Sequence, residues 1–237
     1  MISSIISEMK LKYQVLRVFV NNDGDYGNPV AVISDLDKKL SKEQRQEIAA
    51  KIGFSETVFI HDLNPVLISI FNPKEEVKFA GHAVVGTVWH ILNNLKIEVD
   101  VVNCLGGEVK TWEEDGLIWI QALSSSLPPW NYEELDNVDA VEDYLRKEAS
   151  KKEHTVVWSW KDQGKGIVRA RTFAPDWGIP EDEANGSGSM GLSVRLKSRI
   201  TVIHGNGSII HANSNESGLT MVGGKVKDDG EKESELV

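Results

Sequence analysis

One run of apolar residues constrains the fold more than any other feature of this sequence. It extends from Ala83 to Leu92 and reads AVVGTVWHIL, so a helix formed by it is apolar on almost every side. A helix without a polar face has to be buried all round. Strand-like segments flank the run, among them Val66 to Phe71 before it and Leu117 to Ala122 after it. The run therefore predicts a central helix around which strands are wrapped.

The segment that leads into this helix has a counterpart in the second half of the chain. Phe71-Asn-Pro73 is followed by an acidic loop, Gly81 and the helix, and Phe173-Ala-Pro175 is followed by an acidic loop, Gly186 and a second predicted helix, Ser189 to Leu196. One such unit in each half indicates two similar lobes. We predict a mixed α/β protein of the α+β class, in which each lobe is a curved, mostly antiparallel sheet around one central helix.

Turn-forming and charged segments give the predicted boundaries. Ser124 to Asn131 reads SSSLPPWN, and clustered serines and prolines are typical of a linker. We assign residues 1–123 to an N-terminal lobe and residues 124–224 to a C-terminal lobe. The polar, acidic segment 133–152 predicts one surface helix. Residues 225–237 are charged and contain no aromatic side chain, which predicts a frayed tail.

Charge and cysteine content argue against several kinds of partner. The net charge of −10 disfavours nucleic acid and anionic membrane surfaces. The single cysteine, Cys104, cannot form an intramolecular disulfide, which favours a reducing, cytoplasmic compartment. No stretch approaches the about 20 apolar residues of a membrane-spanning helix, and the N terminus lacks the features of a signal peptide. No compact cluster of metal ligands occurs in the sequence, so no metal site is expected.

Two helices that begin at glycines suit a particular chemistry. The free N–H groups and the dipole at a helix N terminus favour negative charge, so two facing N termini suit a carboxylate or an enolate-like intermediate. Proton abstraction beside a carboxylate needs such stabilisation, because charge develops on the substrate oxygens. A carboxylate base whose pKa is raised by burial can remove the proton and return it elsewhere. Such a reaction requires no cofactor.

Glu56 is the candidate for that base. It follows a predicted helix, Lys42 to Ile52, and begins an apolar strand. Taken singly, however, each candidate residue has a more common structural explanation. Glu56 would be a solvated or ion-paired glutamate, His82 a structural histidine, Asp182 one of several loop acids and Ser187 a helix cap.

Two rival chemistries fit the sequence less well. Residues 186–191 match the dinucleotide-binding pattern G-x-G-x-x-G, but they follow an acidic loop and leave too few residues for a full βαβ unit. A nicotinamide or flavin cofactor is therefore not expected. A racemase with two thiols needs a cysteine on each face of the substrate, which the single Cys104 excludes within one chain.

Six short motifs occur in a fixed order between about Val15 and Gly224. They are Gly27-Asn-Pro-Val-Ala-Val32, Ser55-Glu-Thr57, Phe71-x-Pro73, Phe79-Ala-Gly-His82 with Gly86, Phe173-Ala-Pro175, and Gly178-Ile-x-Glu-Asp182 followed by Gly186-Ser187. In these motifs the chain resembles the PhzF-like phenazine-biosynthesis family, which has the diaminopimelate-epimerase-like fold. No single motif is long, but six in sequence are hard to produce by chance.

The resemblance implies a cofactor-independent isomerase that moves a proton on a small carboxylated substrate, and it also implies a homodimer. The family's catalytic residues fall on Glu56, as the acid/base, and on His82, Asp182 and Ser187. The backbone at Gly81-His82 and at Gly186-Ser187 would bind the substrate anion.

The chain departs from the family pattern at both helix entrances. Ala83-Val84 replaces the usual Pro-Thr after the histidine, and Asp182-Glu-Ala-Asn-Gly-Ser-Gly188 replaces the usual Asp-Pro-x-Thr-Gly-Ser-Ala. A hydroxyl group is therefore missing at each entrance, and Glu183 is an additional acid. These changes leave an alternative open: a non-catalytic or moonlighting dimeric family member that binds a small molecule without turnover.

Overall fold

The computed structural model describes residues 9–144, 148 and 153–236. The helices of this part are α1 (Lys42–Ile52), α2 (Gly81–Asn93), α3 (Val138–Glu142) and α4 (Gly186–Leu196). The strands are β1 (Met9–Val20), β2 (Asn28–Ser34), β3 (Glu56–Leu63), β4 (Val66–Phe71), β5 (Glu76–Val77), β6 (Val101–Cys104), β7 (Gly107–Glu114), β8 (Leu117–Leu123), β9 (Asn131–Glu134), β10 (Thr155–Asp162), β11 (Ile167–Ala174), β12 (Ile179–Asp182), β13 (Ile200–His204), β14 (Ser208–Ser214) and β15 (Leu219–Leu236). The predicted mixed α+β class is confirmed.

Strand pairing in the first half closes into a ring. Each strand pairs with the next in the order β1-β2-β3-β4-β6-β7-β8-β15, and β15 pairs back onto β1. Helix α2 packs against β1, β2, β3, β8 and β15 of this ring. Every residue from Gly81 to Val88 is buried, as is Ile91. The all-round apolar run is therefore the helix at the centre of the ring.

The second half continues the same sheet as an open arc. From β15 the order runs β14-β13-β11-β10-β9, and α4 packs on β14 and β15. Most pairs in the molecule are antiparallel, and the parallel exceptions are β2–β3, β4–β6, β9–β10 and β11–β13. Strand β15 belongs to both the ring and the arc. The division into lobes at residues 1–123 and 124–224 stays a prediction.

Helix α1 determines where β3 begins. Ser41 and Gln44 form a reciprocal capping box at its N terminus, in which each side chain accepts a hydrogen bond from the other residue's backbone N–H. Gly53 ends the helix in a left-handed conformation, with φ of 73°, which glycine adopts without steric cost. The chain then turns through Ser55 and enters β3 at Glu56. The turn thus places Glu56 at the first position of a strand beside α2.

The prediction of a frayed tail over residues 225–237 is wrong. Residues up to Leu236 continue β15, which pairs antiparallel with β1 along most of its length. The charged side chains that suggested a tail form ion pairs across the two strands, including Lys12 with Glu231 at 2.6 Å and Arg17 with Asp229 at 2.7 Å. A segment without its own apolar core can be ordered in this way, because β1 supplies backbone partners and opposite charges. Val237 lies outside the described residues.

The prediction of one surface helix over residues 133–152 is also wrong in the part that is described. Asn131–Glu134 forms β9, which pairs parallel with β10, and the helix that follows covers only Val138–Glu142. The pairing with β10 determines the conformation here, and polar composition alone does not reveal it. Most of residues 145–152 lie outside the described part of the chain.

The largest apolar cluster of the described residues runs through both halves of the molecule. Leu16, Val84 and Ile118 from the first half belong to the same buried cluster as Val156 and Met190 from the second. This shared core holds α2 and α4 in fixed relative positions, which matters for the cleft at their N termini. Among the described residues, no helix has both the length and the apolar character that crossing a membrane requires.

Candidate active site

The N termini of α2 and α4 meet inside a cleft. A Cβ atom placed on Gly81 would lie 3.6 Å from the Cα atom of Gly186, so the two helix starts are in direct contact. The cleft has a volume of about 860 Å³. Its lining includes both glycines and all four side chains singled out in the sequence, Glu56, His82, Asp182 and Ser187. The structure therefore brings together residues that are up to 131 positions apart in the chain.

Phe19 supports this contact from the core side. Its ring would lie 3.3 Å from a Cβ atom on Gly186, so a larger residue at that position would push against it. Phe19 is fully buried at an irregularity of β1, with φ of 68°, a conformation that bulky residues rarely adopt. Glycine at 186 is thus required for the close approach of the two helices.

Helix α2 presents an uncapped N terminus to the cleft. Its N-cap residue is Ala80, and no side chain of the described residues caps it. The N–H of Val84 donates to the carbonyl oxygen of Ala80 at 3.1 Å, so the amides before Val84 remain for a ligand. Ala83 and Val84 themselves are completely buried in the core. Their departure from the family pattern therefore changes the packing of α2, because neither side chain is among those that line the cleft.

Glu56 and His82 form an ion pair at this end of the cleft. Glu56 Oε2 lies 3.1 Å from His82 Nε2, and the two side chains are 14% and 5% exposed. Ser55 Oγ lies 3.4 Å from the same ring nitrogen. Glu56 Oε2 has no other polar partner among the described residues. One buried carboxylate thus depends on one histidine for its charge balance.

The electrostatics of this pair differ from the sequence-based expectation. Burial is the largest influence on Glu56 and by itself raises its pKa, as we expected, but the charge of His82 and the hydrogen bonds from His82 and Ser55 together outweigh it, so the pKa lies below its ordinary value. Burial likewise lowers the pKa of His82, but the charge of Glu56 and a smaller contribution from Asp182 raise it above the ordinary value. The expectation of a raised pKa for Glu56 is therefore wrong. Both shifts favour the charged forms, a carboxylate beside an imidazolium.

Asp182 lies at the other helix and has the opposite character. Asn28 donates to its Oδ1 atom at 2.6 Å, and Asn185 donates to its Oδ2 atom at 2.8 Å. Burial raises the pKa of Asp182 above its usual value, and the charge of Glu56 adds to the effect despite the opposing charge of His82. Of Glu56 and Asp182, it is Asp182 whose pKa is shifted toward the protonated form.

Asn185 is the N-cap residue of α4. Its side-chain oxygen accepts hydrogen bonds from the N–H of Gly188 at 2.5 Å and from the hydroxyl of Ser187 at 3.3 Å. The additional acid, Glu183, points away from the cleft. It accepts hydrogen bonds from the backbone N–H of Asn206 at 3.1 Å and from the hydroxyl of Ser208 at 2.8 Å. The departures around α4 therefore preserve a capped helix and add a structural contact elsewhere.

Several residues that line or support the cleft were not identified from the sequence. Asn28 connects the two ends, because it accepts a hydrogen bond from Ser55 at 3.1 Å and donates to Asp182. Asn28 and Ser55 both lie within the quoted motifs, so a signal for them existed. Trp130, whose indole N–H donates to Ser187 Oγ at 2.9 Å, and Trp177 come from segments read as loops, which gave no signal.

Comparison with known proteins gives the family. The family model described as phenazine biosynthesis-like protein matches residues 17–168. The chain belongs to this family. The resemblance seen in the sequence motifs is thereby confirmed.

Several known proteins are similar to this chain over most of its length. Trans-2,3-dihydro-3-hydroxyanthranilate isomerase of Pseudomonas chlororaphis is 27% identical over 209 residues, covering 72% of this chain and 74% of that protein. Antisense-enhancing sequence 1 of Schizosaccharomyces pombe is 27% identical over 234 residues, covering 75% and 78%. The crystal structure of a phenazine biosynthesis protein of the PhzF family from Enterococcus faecalis has a TM-score of 0.79 at 18% identity, covering 96% of this chain and 100% of that chain. The structural likeness shows a shared fold.

Proposed function

We propose that the protein is a cofactor-independent isomerase that catalyses a 1,1- or allylic proton shift on a small carboxylated substrate, with Glu56 as its acid/base. One observation carries the proposal. The Glu56–His82 pair lies in the same cleft as the two touching helix N termini. A base and an anion site are therefore adjacent, as proton abstraction beside a carboxylate requires. The isomerase named among the relatives supports the reaction type.

In the first step the substrate carboxylate binds to the backbone amides at Gly81-His82 and Gly186-Ser187. The uncapped first turn of α2 provides N–H groups that need an acceptor, and both helix dipoles favour the negative charge. Binding places the carbon next to the carboxylate near Glu56. The substrate's own charge then raises the pKa of Glu56, because two neighbouring anions disfavour each other.

In the second step Glu56 removes the proton from that carbon. The electron pair of the broken C–H bond moves toward the substrate carboxylate, where the helix N termini and the His82 imidazolium stabilise the added charge. Protonated Glu56, assisted by Asp182, then returns the proton either to the opposite face of the same carbon or, where the substrate has an adjacent C=C bond that shifts, to the far carbon of that bond. Ser187 orients the substrate through its hydroxyl and its backbone N–H. The net reaction moves one proton and consumes no other reagent.

The test is incorporation of deuterium from heavy water into candidate carboxylates, followed by mass spectrometry. We expect the wild-type protein to label at least one cyclic or amino-acid carboxylate. The variant Glu56→Gln should bind the same ligand and exchange it about 10²- to 10⁴-fold more slowly, because the acid/base is lost. Glu47→Gln, which changes an exposed glutamate of α1, is the matched control and should exchange normally. Undiminished exchange in Glu56→Gln would refute the assignment.

The same assay tests the alternative of a binding protein without turnover. The departures at the helix entrances motivate this alternative, and one relative over most of the chain has a name that does not denote an enzyme. Carboxylate binding without exchange by the wild-type protein would support it. We also propose a homodimer, as the family resemblance implies, and sedimentation equilibrium tests this directly.

A further inference from the structure

One wall of the cleft has no part in the proposed proton transfer. It consists of apolar side chains from two segments on the side of α4, namely Leu127, Pro128 and Trp130 from one segment and Trp177 and Ile179 from the other. Both tryptophans are half-buried. A large apolar surface open to a ligand cleft normally contacts an apolar part of the ligand. The wall therefore indicates that part of the ligand is apolar, which the polar end of the cleft does not reveal.

The two tryptophans are held in place by their neighbours. Their ring centroids lie 4.8 Å apart with an interplanar angle of 65°, a favourable edge-on arrangement. Trp177 also stacks on the His154 ring, with centroids 4.3 Å apart, and His154 Nδ1 is 2.8 Å from a carboxylate oxygen of Asp176. The wall is thus built in advance, and a ligand need not order it.

Trp130 joins this wall to the anion end of the cleft. Its indole N–H donates to Ser187 Oγ at 2.9 Å, while the Ser187 hydroxyl donates to the side-chain oxygen of Asn185 at 3.3 Å. The Ser187 oxygen is therefore fixed from two sides. A carboxylate bound at the start of α4 has its next atoms close to the Trp130 ring, because Ser187 itself touches that ring.

We propose that Trp130 and Trp177 form a specificity subsite for the apolar body of the carboxylated ligand, and that Trp130 in addition positions Ser187. The proposal rests on the proposed function in one respect, the location of the carboxylate at the helix N termini. It assigns two separable tasks. The paired rings select the ligand body, whereas the indole N–H of Trp130 acts on the carboxylate end that all ligands share.

Calorimetric titration with acetate and benzoate separates these tasks, since the two probes share a carboxylate and differ by a ring. We expect the wild-type protein to prefer benzoate by about tenfold. Trp177→Ala should reduce that preference several-fold and leave acetate binding unchanged. Trp130→Phe keeps an aromatic ring and removes the hydrogen-bond donor. It should therefore lower the affinity for both acetate and benzoate by about two- to tenfold and retain the preference for benzoate.

Trp112→Phe is the matched control, because Trp112 stacks on Trp119 at 6.0 Å and is not among the residues that line the cleft. Trp112→Phe should change the affinity for neither acetate nor benzoate, and circular dichroism should show that all variants are folded. Absence of a benzoate preference in the wild-type protein, or a preference that survives Trp177→Ala, overturns the subsite. Unchanged acetate binding in Trp130→Phe overturns the positioning of Ser187.

The outcome is independent of turnover. Deuterium exchange that depends on Glu56, together with a preference insensitive to Trp177→Ala, would leave the isomerase standing and remove the subsite. A preference that requires Trp177, together with no exchange of any carboxylate, would leave the subsite standing and remove the isomerase.

Discussion

The two helix N termini that form the cleft are built in different ways. Helix α2 begins without a side-chain cap and has the charged pair Glu56–His82 at its start. At the start of α4 the Asn185 side chain caps the helix by accepting a hydrogen bond from the N–H of Gly188, and it also donates to Asp182. The sequence echo of a glycine-led helix in each half suggested equivalent ends.

The difference indicates that the two helix ends have separate roles. The free amides of α2 and the adjacent Glu56–His82 pair suit the reacting part of a ligand. The amides gain hydrogen-bond partners only when the ligand binds. Fixed hydrogen bonds at α4 suit orientation, because their geometry is already set. An active site built from a repeated unit can therefore separate chemistry from positioning, and the following predictions test that separation.

The largest effect is expected when the two carboxylates are compared. Glu56→Gln should lower deuterium exchange by about 10²- to 10⁴-fold, whereas Asp182→Asn should lower it by about tenfold. Because the pKa of Asp182 is raised, its environment disfavours the charged form, and a neutral amide disturbs mainly the hydrogen bonds from Asn28 and Asn185. Exchange rates of both variants on one substrate give the comparison. The reverse order of effects would place the base at α4.

A second comparison uses two buried histidines whose pKa values shift in opposite directions. Burial lowers the pKa of His204 to about 4, below the ordinary value of 6.5. Between these values the unfolded chain binds a proton that the folded chain does not, so stability is lost as the pH falls, by about 3 kcal/mol in total. For His82 the folded pKa is raised, so stability is lost as the pH rises above 6.5.

Urea unfolding from pH 4 to pH 8 measures both contributions. His204→Asn should flatten the loss of stability on the acidic side only. His82→Asn should remove the loss above pH 6.5, and it should also change the acidic side, because burial then raises the pKa of Glu56 without the opposing charge. If His204→Asn changed the pH dependence of the unfolding free energy above pH 6.5 as much as below it, the acidic loss of stability could not be assigned to His204.

A third prediction compares how tightly the two helices are packed. A Cβ atom on Gly86 of α2 would lie 2.8 Å from Val30 Cγ1 and 3.0 Å from Val18 Cγ2. Gly86→Ala should therefore lower the free energy of unfolding by about 1–3 kcal/mol, because the strands of the ring cannot move away. Gly191→Ala in α4 would meet the hydroxyl of Tyr132, a half-buried side chain that can shift by giving up its hydrogen bond to the carbonyl oxygen of Gly188. Gly191→Ala should lower the free energy of unfolding by less than Gly86→Ala does, and denaturant titration of both variants measures the difference.

The smallest effect concerns the cap of α4. Asn185→Ala should lower the free energy of unfolding by about 1 kcal/mol and should also weaken acetate binding, because Ser187 loses its acceptor. Asn137→Ala removes the corresponding cap of α3, where the side chain accepts from the N–H of Ala140 at 2.9 Å. This control should lose stability and keep acetate binding. Equal loss of binding in both variants would argue against a specific role of Asn185.

Patterns that depend on local sequence predicted much of this molecule correctly. The capping box and Gly53 defined α1, and the apolar run defined α2, because helix ends and helix faces follow from nearby residues. The charged C-terminal segment was misjudged for the complementary reason. Its structure comes from β1, more than 200 positions away, and no local property reveals that pairing.

The sequence by itself determined the family, the buried central helix and the set of residues that could form an active site. Only the tertiary structure decided how those residues interact, because a pKa depends on burial and on charges that the fold brings near. It paired Glu56 with His82, which reversed the expected shift, and it inserted Asn28 between Ser55 and Asp182. It also placed Trp130 against Ser187, a contact across 57 positions between a turn and a helix that only packing can create.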